Sequence, residues 1–164
     1  PPRFGPPSDR NYHVDPEIRR MDDSIFHAKR ITHLVIVAAD YPALYNYYTS
    51  YVGLTPLAGG LENTYTVLSG TTGGPQVTLF QGKDGQKTGL HHFGFEVWSE
   101  QELEESEIKL KKSGVTPTFS LDHQTRRSVF VKDPDGYLVE FFVNRAANDL
   151  SLEHEEEELA LFLA

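Results

Sequence analysis

Three residues of this sequence, His33, His92 and Glu140, are suited to holding a metal ion between them. Each stands in a short apolar run with a period of two, so its neighbours give the face that it occupies. In ITHLVIVAAD, Leu34, Ile36 and Ala38 share one face, which leaves His33, Val35 and Val37 on the other. In LHHFGFEVW, His91, Phe93, Phe95 and Val97 form an apolar face expected to meet a helix, and His92 and Gly94 turn the opposite way. In GYLVEFFVN, Val139, Phe141 and Val143 lie opposite Leu138, Glu140 and Phe142. A lone carboxylate inside such a run is costly to bury unless it is paired or bound to a metal. Two imidazoles and one carboxylate on rigid strands make a facial triad, which leaves up to three positions of an octahedral ion open for substrate or dioxygen. That donor set suits Fe(II) or Mn(II). The chain has no cysteine, so a zinc-thiolate site, a disulfide framework and a thiol nucleophile are excluded.

The elements that carry these residues occur twice. Ile31 opens a strand, and Asp40 with Pro42 opens a helix with Leu44, Tyr47, Tyr48 and Tyr51 on its apolar face. Gly53 closes that helix, and strands follow near Leu54–Leu57, Tyr65–Leu68 and Gln76–Phe80, separated by glycine-rich turns. The same βαβββ order then returns. LHHFGFEVW is a strand, and Ser99 with Glu102 forms a capping box ahead of a helix with early acids and late lysines, as the helix dipole favours. Gly114 ends this helix, and strands are expected near Val115–Phe119, Ser128–Lys132 and Tyr137–Val143, with the turn DPDG before the last. Setting His33 over His92 places Asp40 over Ser99, so both helix caps stand seven residues after a candidate ligand. The expectation is an α+β fold of two βαβββ modules, 30–82 and 89–145, in one domain over 30–146, with His33, His92 and Glu140 facing a shared cleft. The Pro-rich, charged residues 1–29 read as an N-terminal extension, and 147–164 as an acidic helix with Leu152, Leu159, Phe162 and Leu163 available for packing.

The bulk composition bounds the function. With 164 residues, 38% hydrophobic and 24% charged, the chain reads as an ordinary globular domain, and no apolar run approaches the roughly 20 residues of a membrane span. A formal charge of -9 with only scattered basic pairs argues against nucleic acid as a partner. No signal-peptide pattern opens the sequence, so a cytoplasmic protein is expected.

The strings ITHLVIVAAD, GLHHFGFEV and DPDGYLVEFF resemble the vicinal oxygen chelate superfamily over roughly Ile31 to Asn144. Its members include glyoxalase I, extradiol dioxygenases, epimerases, fosfomycin-resistance enzymes and bleomycin-binding proteins. The resemblance implies paired βαβββ modules forming an incomplete barrel around a metal, with His33, His92 and Glu140 as its ligands. Glyoxalase I and the epimerases add a fourth ligand from the last strand of the first module, where the repeat here places Thr78. A three-ligand site fits an Fe(II)-dependent extradiol dioxygenase best, with a substituted catechol and dioxygen as substrates and a homodimer as the usual assembly. The alternatives are a thiol transferase of the fosfomycin-resistance type with Mn(II), another glyoxalase-like metalloenzyme, and a non-catalytic antibiotic binder.

Extradiol dioxygenases also use an acid–base histidine beside the metal and often a tyrosine on the strand before the final glutamate. The resemblance points to His123 for the histidine, with His91 as a second candidate, while the tyrosine position reads Phe130. Tyr65 is a further candidate to meet the substrate, and Arg126 and Arg127 could bind a substrate carboxylate. Tyr137 reads as a strand-end packing residue.

Overall fold

The computed structural model describes residues 24–145. Eight strands form one sheet in the order β2-β3-β4-β1-β5-β8-β7-β6. The strands are β1 (Ala28–Ala38), β2 (Thr55–Gly59), β3 (Tyr65–Ser69), β4 (Val77–Gln81), β5 (Gly89–Val97), β6 (Phe119–Asp122), β7 (Arg126–Lys132) and β8 (Leu138–Asn144). Within each module the first strand pairs in parallel with the last, β1 with β4 and β5 with β8. The modules meet where β1 runs antiparallel to β5. This is the expected α+β architecture, an open sheet that does not close into a barrel.

Two helices cover the outer face, and both begin as the sequence implies. Asp40 accepts from the Ala43 amide and Ser99 from the Glu102 amide, each satisfying a donor that the first turn leaves unpaired. Behind α1 (Tyr41–Asn46), Tyr41 packs with Ala38, Leu68 and Leu79. Behind α2 (Glu100–Lys112), Leu103 packs with Val97, Val129 and Val143. Ala38, Val97 and Val143 thus lie on the helix-facing side that strand alternation assigns them.

Three boundaries differ from the sequence reading. α1 gives way after Asn46 to a π-helical turn at Tyr47–Tyr51, marked by the Val52 amide bonding five residues back to the Tyr47 carbonyl. The wider turn rotates Tyr47 and Tyr51 off the sheet, where they are exposed and stack on each other, while Leu44 and Tyr48 stay packed on the core. The strand expected near Val115 starts only at Phe119. Gly114, at φ +84°, ends α2, the Val115 amide turns back to the Leu110 carbonyl, and Pro117 has no amide to donate. Finally, β1 begins at Ala28 and Phe26 stacks on Phe141 at 3.8 Å, so the end of the expected N-terminal extension belongs to the fold. The expected acidic C-terminal helix lies outside the described residues. Among the described residues, no helix is long and apolar enough to cross a membrane.

Burial rather than residue type should decide which side chains of α2 matter. Leu103 is fully buried and Ile108, on the same helix, is 54% exposed. Leu103→Ala should cost about 2–5 kcal/mol and Ile108→Ala no more than about 0.5 kcal/mol in urea unfolding. Equal losses would refute the packing described.

Candidate metal centre

The β1–β5 seam sets the site. In its ladder His33 stands opposite Gly94, and Val35 opposite His92. Each pair links a ligand position of one module to a position two residues beyond the ligand of the other, so the two histidines are diagonal neighbours on the inner face. The parallel β5–β8 ladder then sets Glu140 opposite Gly94. Three separate strands thus bring His33, His92 and Glu140 together, all buried, with one ligand atom from each within 4.8 Å of the others.

The rings lie as they do because of small neighbours. A Cβ at position 94 would stand 2.4 Å from His33 Cε1, so the imidazole occupies the space above Gly94. Gly94 does not have a positive φ, so space and not backbone conformation requires the glycine. His33 also packs edge-on against Phe142, and His92 edge-on against Phe130.

In both modules the residue before the ligand holds the far ring nitrogen. Thr32 Oγ1 lies 2.9 Å from His33 Nδ1, and His91 Nδ1 lies 2.8 Å from His92 Nδ1. A fixed Nδ1 leaves Nε2 as the coordinating atom. Burial, reinforced by the neighbouring His92, pushes His91 down to about 4, so it is neutral near pH 7. Burial likewise lowers His92, against the opposing pull of Glu140.

Glu140 is the ionised member. Burial alone would raise it, but the charge of Arg126, followed by contacts with His33 and His92, holds it well below the usual carboxylate range. Its Oε1 receives Ser128 Oγ at 2.8 Å and Arg126 Nη1 at 3.3 Å, and its Oε2 faces His33 Nε2 at 3.0 Å. His92 Nε2 lies 3.2 Å from the same Oε2, yet forms no hydrogen bond. An orphaned buried imidazole nitrogen beside an ionised carboxylate fits a divalent cation, whose binding would displace the proton shared by His33 and Glu140.

A family profile matches residues 30–141: the Glyoxalase/Bleomycin resistance protein/Dioxygenase superfamily. The chain belongs to this superfamily. No curated protein matches the sequence. Among solved structures the chain is similar to a Mn(II)-bound glyoxalase from Novosphingobium aromaticivorans, at 15% identity and a TM-score of 0.59, covering 70% of this chain and 38% of that one. It is also similar to homoprotocatechuate 2,3-dioxygenase from Brevibacterium fuscum, at 17% identity and a TM-score of 0.61, covering 78% and 36%. A third is 2,2',3-trihydroxybiphenyl 1,2-dioxygenase from Sphingomonas wittichii, at 21% identity and a TM-score of 0.56, covering 74% and 44%. These likenesses show the fold, and the chain spans about two fifths of the length of each protein.

The register also shows which residue of the first module stands where Glu140 stands in the second. Thr78 stands opposite Val35 as Glu140 stands opposite Gly94, and Val35 and Gly94 are equivalent in the repeat. Thr78 therefore occupies the position equivalent to Glu140, and it is buried. A cavity of about 650 Å³ reaches the triad at His33, with Arg126, Phe142, Gln76 and Thr32 in its walls. A second, of about 630 Å³, reaches His91 between Leu90 and Tyr137.

The remaining sequence candidates divide. Arg126 lines the first cavity but gives Nη1 to Glu140, a partner that strand alternation alone did not reveal. Arg127 turns to the outer face, where it pairs with Glu107 of α2 and with the Leu121 and Ser128 carbonyls. It lines neither cavity. Tyr65 stacks on Phe80 in the first module and lines neither cavity. His123 is half-buried at the β6–β7 turn, with its amide donating to the Arg126 carbonyl, and it too lies outside both linings. Tyr137 is exposed at the start of β8. Thr32 and Ser128, which hold two of the three ligands, carried no sequence signal beyond proximity.

Replacing His33, His92 or Glu140 by Ala should remove most divalent metal while leaving the fold in place, as measured by metal analysis and circular dichroism. Unchanged metal content in all three variants would remove the assignment. Gly94→Ala should weaken metal binding by about tenfold or more, within the range seen for residues that orient ligands, with little loss of secondary structure. Parental affinity in this variant would show that His33 does not need the space over Gly94.

Proposed function

We propose that this chain is an Fe(II)-dependent extradiol dioxygenase that cleaves a substituted catechol with dioxygen. The observation that carries the reading is the three-ligand donor set, with Thr78 where a fourth ligand would stand. A bidentate catechol and dioxygen need the positions that such a set leaves open. Bound iron would supply the electron transfer between ring and dioxygen.

The chain's own residues do the rest. Thr32 and His91 hold the imidazole Nδ1 atoms and so keep both Nε2 atoms aimed inward. Phe130 and Phe142 pack against the ligand rings and exclude water, which strengthens every electrostatic interaction at the site. The cavity at His33, about 650 Å³, falls in the size range of small-molecule sites and has the volume for a single substituted ring. Arg126 keeps Glu140 ionised. Proton transfer to and from the substrate is assigned to His123, whose turn is tied to Arg126 on the cavity wall and which, from outside the lining, would act through a bridging water. His91 is assigned to orienting His92 rather than to chemistry. A cytoplasmic homodimer is part of the same proposal.

A second reading has one observation in its favour. Phe130 replaces the tyrosine that the extradiol resemblance implies, which removes a proton donor and suits a non-redox chelate reaction with Mn(II).

Oxygen uptake by the anaerobically iron-loaded protein across a panel of catechols separates the two. Consumption of dioxygen with the yellow ring-cleavage product is expected, and its absence over the whole panel would reject the dioxygenase reading. His123→Ala should keep iron and catechol binding while turnover falls by about 10²-fold to 10⁴-fold. Parental turnover would move the proton role to another group.

A further inference from the structure

The second cavity, of about 630 Å³, lies at the N-terminal ends of the parallel strands β5 and β8, whereas the first is lined by Glu96 and Asn144 at their C-terminal ends. Its charged groups are Lys87, Lys132 and Asp135, a net single positive charge in a chain of formal charge -9. None of the three forms an ion pair among the described residues. Leu90 and Tyr137, 46% and 55% exposed, add an apolar wall. Local hydrogen bonds fix these walls. Gln86 Oε1 receives the Lys83 amide at 3.1 Å and the Gln86 amide returns to the Lys83 carbonyl at 2.9 Å, which holds the loop ahead of Lys87. Asp133 Oδ1 receives the Asp135 and Tyr137 amides at 3.0 and 2.9 Å, and Lys132 is paired with Leu138 in the β7–β8 ladder. A concave site with cationic groups and an apolar wall fits a small carboxylate with an apolar body.

His91 connects this cavity to the metal centre. Its Nδ1 lies 2.8 Å from His92 Nδ1, so one of the two atoms donates and the other accepts. With a metal at His92 Nε2, the proton of that ring stands on Nδ1, and His91 accepts there and carries its own proton on Nε2. Among the described residues that Nε2 has no hydrogen-bond partner, and it is not closed off from solvent. It is therefore a free donor on a residue that lines the second cavity. A carboxylate accepting from it makes His91 Nδ1 a better acceptor, and so makes His92 Nε2 a stronger donor to the metal.

We propose that the second cavity binds a small monocarboxylate with an apolar body, attracted by Lys87 and Lys132 and hydrogen-bonded by His91 Nε2, and that its occupancy strengthens the metal centre through His92. This site is separate from the cavity at His33, where the dioxygenase reading puts the substrate. The linkage rests on the metal reading above, and the carboxylate site does not. His91 is a positioning residue here, passing the effect of the bound anion to His92. Coupling between two binding sites is reciprocal, so metal and carboxylate should tighten each other by the same factor. Two surface lysines without a site would give neither apolar selectivity nor coupling.

The test titrates the full chain with benzoate by calorimetry, first metal-free and then with Mn(II). The metal-free parent should bind benzoate about tenfold or more tighter than acetate, which lacks the apolar body, and than benzamide, which lacks the charge. Replacing both lysines, Lys87→Gln with Lys132→Gln, should remove about tenfold or more of that affinity and leave Mn(II) affinity at the parental value. Lys87→Arg with Lys132→Arg, which keeps both charges, should stay within about threefold of the parent. No benzoate binding by the parent, or parental affinity in the Gln variant, would overturn the carboxylate site. Saturating benzoate should tighten Mn(II) binding to the parent by about fivefold or more, and the effect should vanish in the Gln variant and in His91→Phe. If His91→Phe does not fold, the Gln variant decides. Tightening that survives these substitutions would put benzoate on the metal itself and overturn the linkage, as would its absence from the parent. A parent that takes benzoate but no Mn(II) overturns the metal reading and the linkage with it, while the metal-free titration still decides the carboxylate site.

Discussion

The antiparallel seam between β1 and β5 is the constraint on which the rest of the site depends. An antiparallel pair has a local twofold, and here it relates one module to the other, because His33 faces Gly94 just as His92 faces Val35. A one-residue slip in that ladder would turn one histidine to the helix-covered face and dismantle the triad. The parallel partners β4 and β8 flank the seam, so the last strand of each module is the next place from which a third ligand can come. The metal centre is in this sense a property of how two modules join.

Burying Glu140 between those strands creates a demand that the surrounding residues meet. An ionised carboxylate taken out of water costs several kcal/mol unless it is paired and hydrogen-bonded. Ser128 and Arg126 satisfy Oε1 from the neighbouring strand, and His33 faces Oε2. The division of labour between the two oxygens matters. Protein donors take one, and the other is left toward the histidines, where a cation can replace a proton. The fold can therefore hold the charge before any metal arrives, consistent with a core built by the helices and the outer face of the sheet rather than by the site.

Much of this was legible from residue types and spacing. Period-two alternation placed His33, His92 and Glu140 on the inner face, the repeat paired Thr78 with Glu140, and both helix caps were readable as Asp40 and Ser99. What escaped was set by geometry between elements. Alternation separated Arg126 from Arg127 only once the β7–β8 register fixed which of the two met Glu140. The exposure of Tyr47 and Tyr51 depends on a π-helical turn, for which the tyrosine-rich run gives no local signal. The late start of β6 depended on the exit from α2, where a glycine, a returning amide and a proline outweighed the β-branched Val115 and Thr116. Alternation gave Gly94 only a face, shared with His92, and its use became visible only with the His33 ring above it.

The two modules share a fold, and their inner faces have diverged in one consistent direction. By ladder register, Thr78 matches Glu140, Tyr65 matches Ser128, Val67 matches Phe130 and Val37 matches Glu96. The first module thus carries mostly apolar or neutral residues at positions where the second carries the ligand, its hydrogen-bond donor and the charged cavity wall. Val35, Val37, Val67 and Phe80 are all nearly fully buried, so this half of the interior is packed. A symmetric interior would place two carboxylates about one cation, closing a coordination position and adding a second buried charge to balance. Having the carboxylate in one half alone removes both problems. The sequence asymmetry between equivalent strands therefore sets how many ligands the protein offers at the triad, and Arg126 and Ser128 hold the one carboxylate among them.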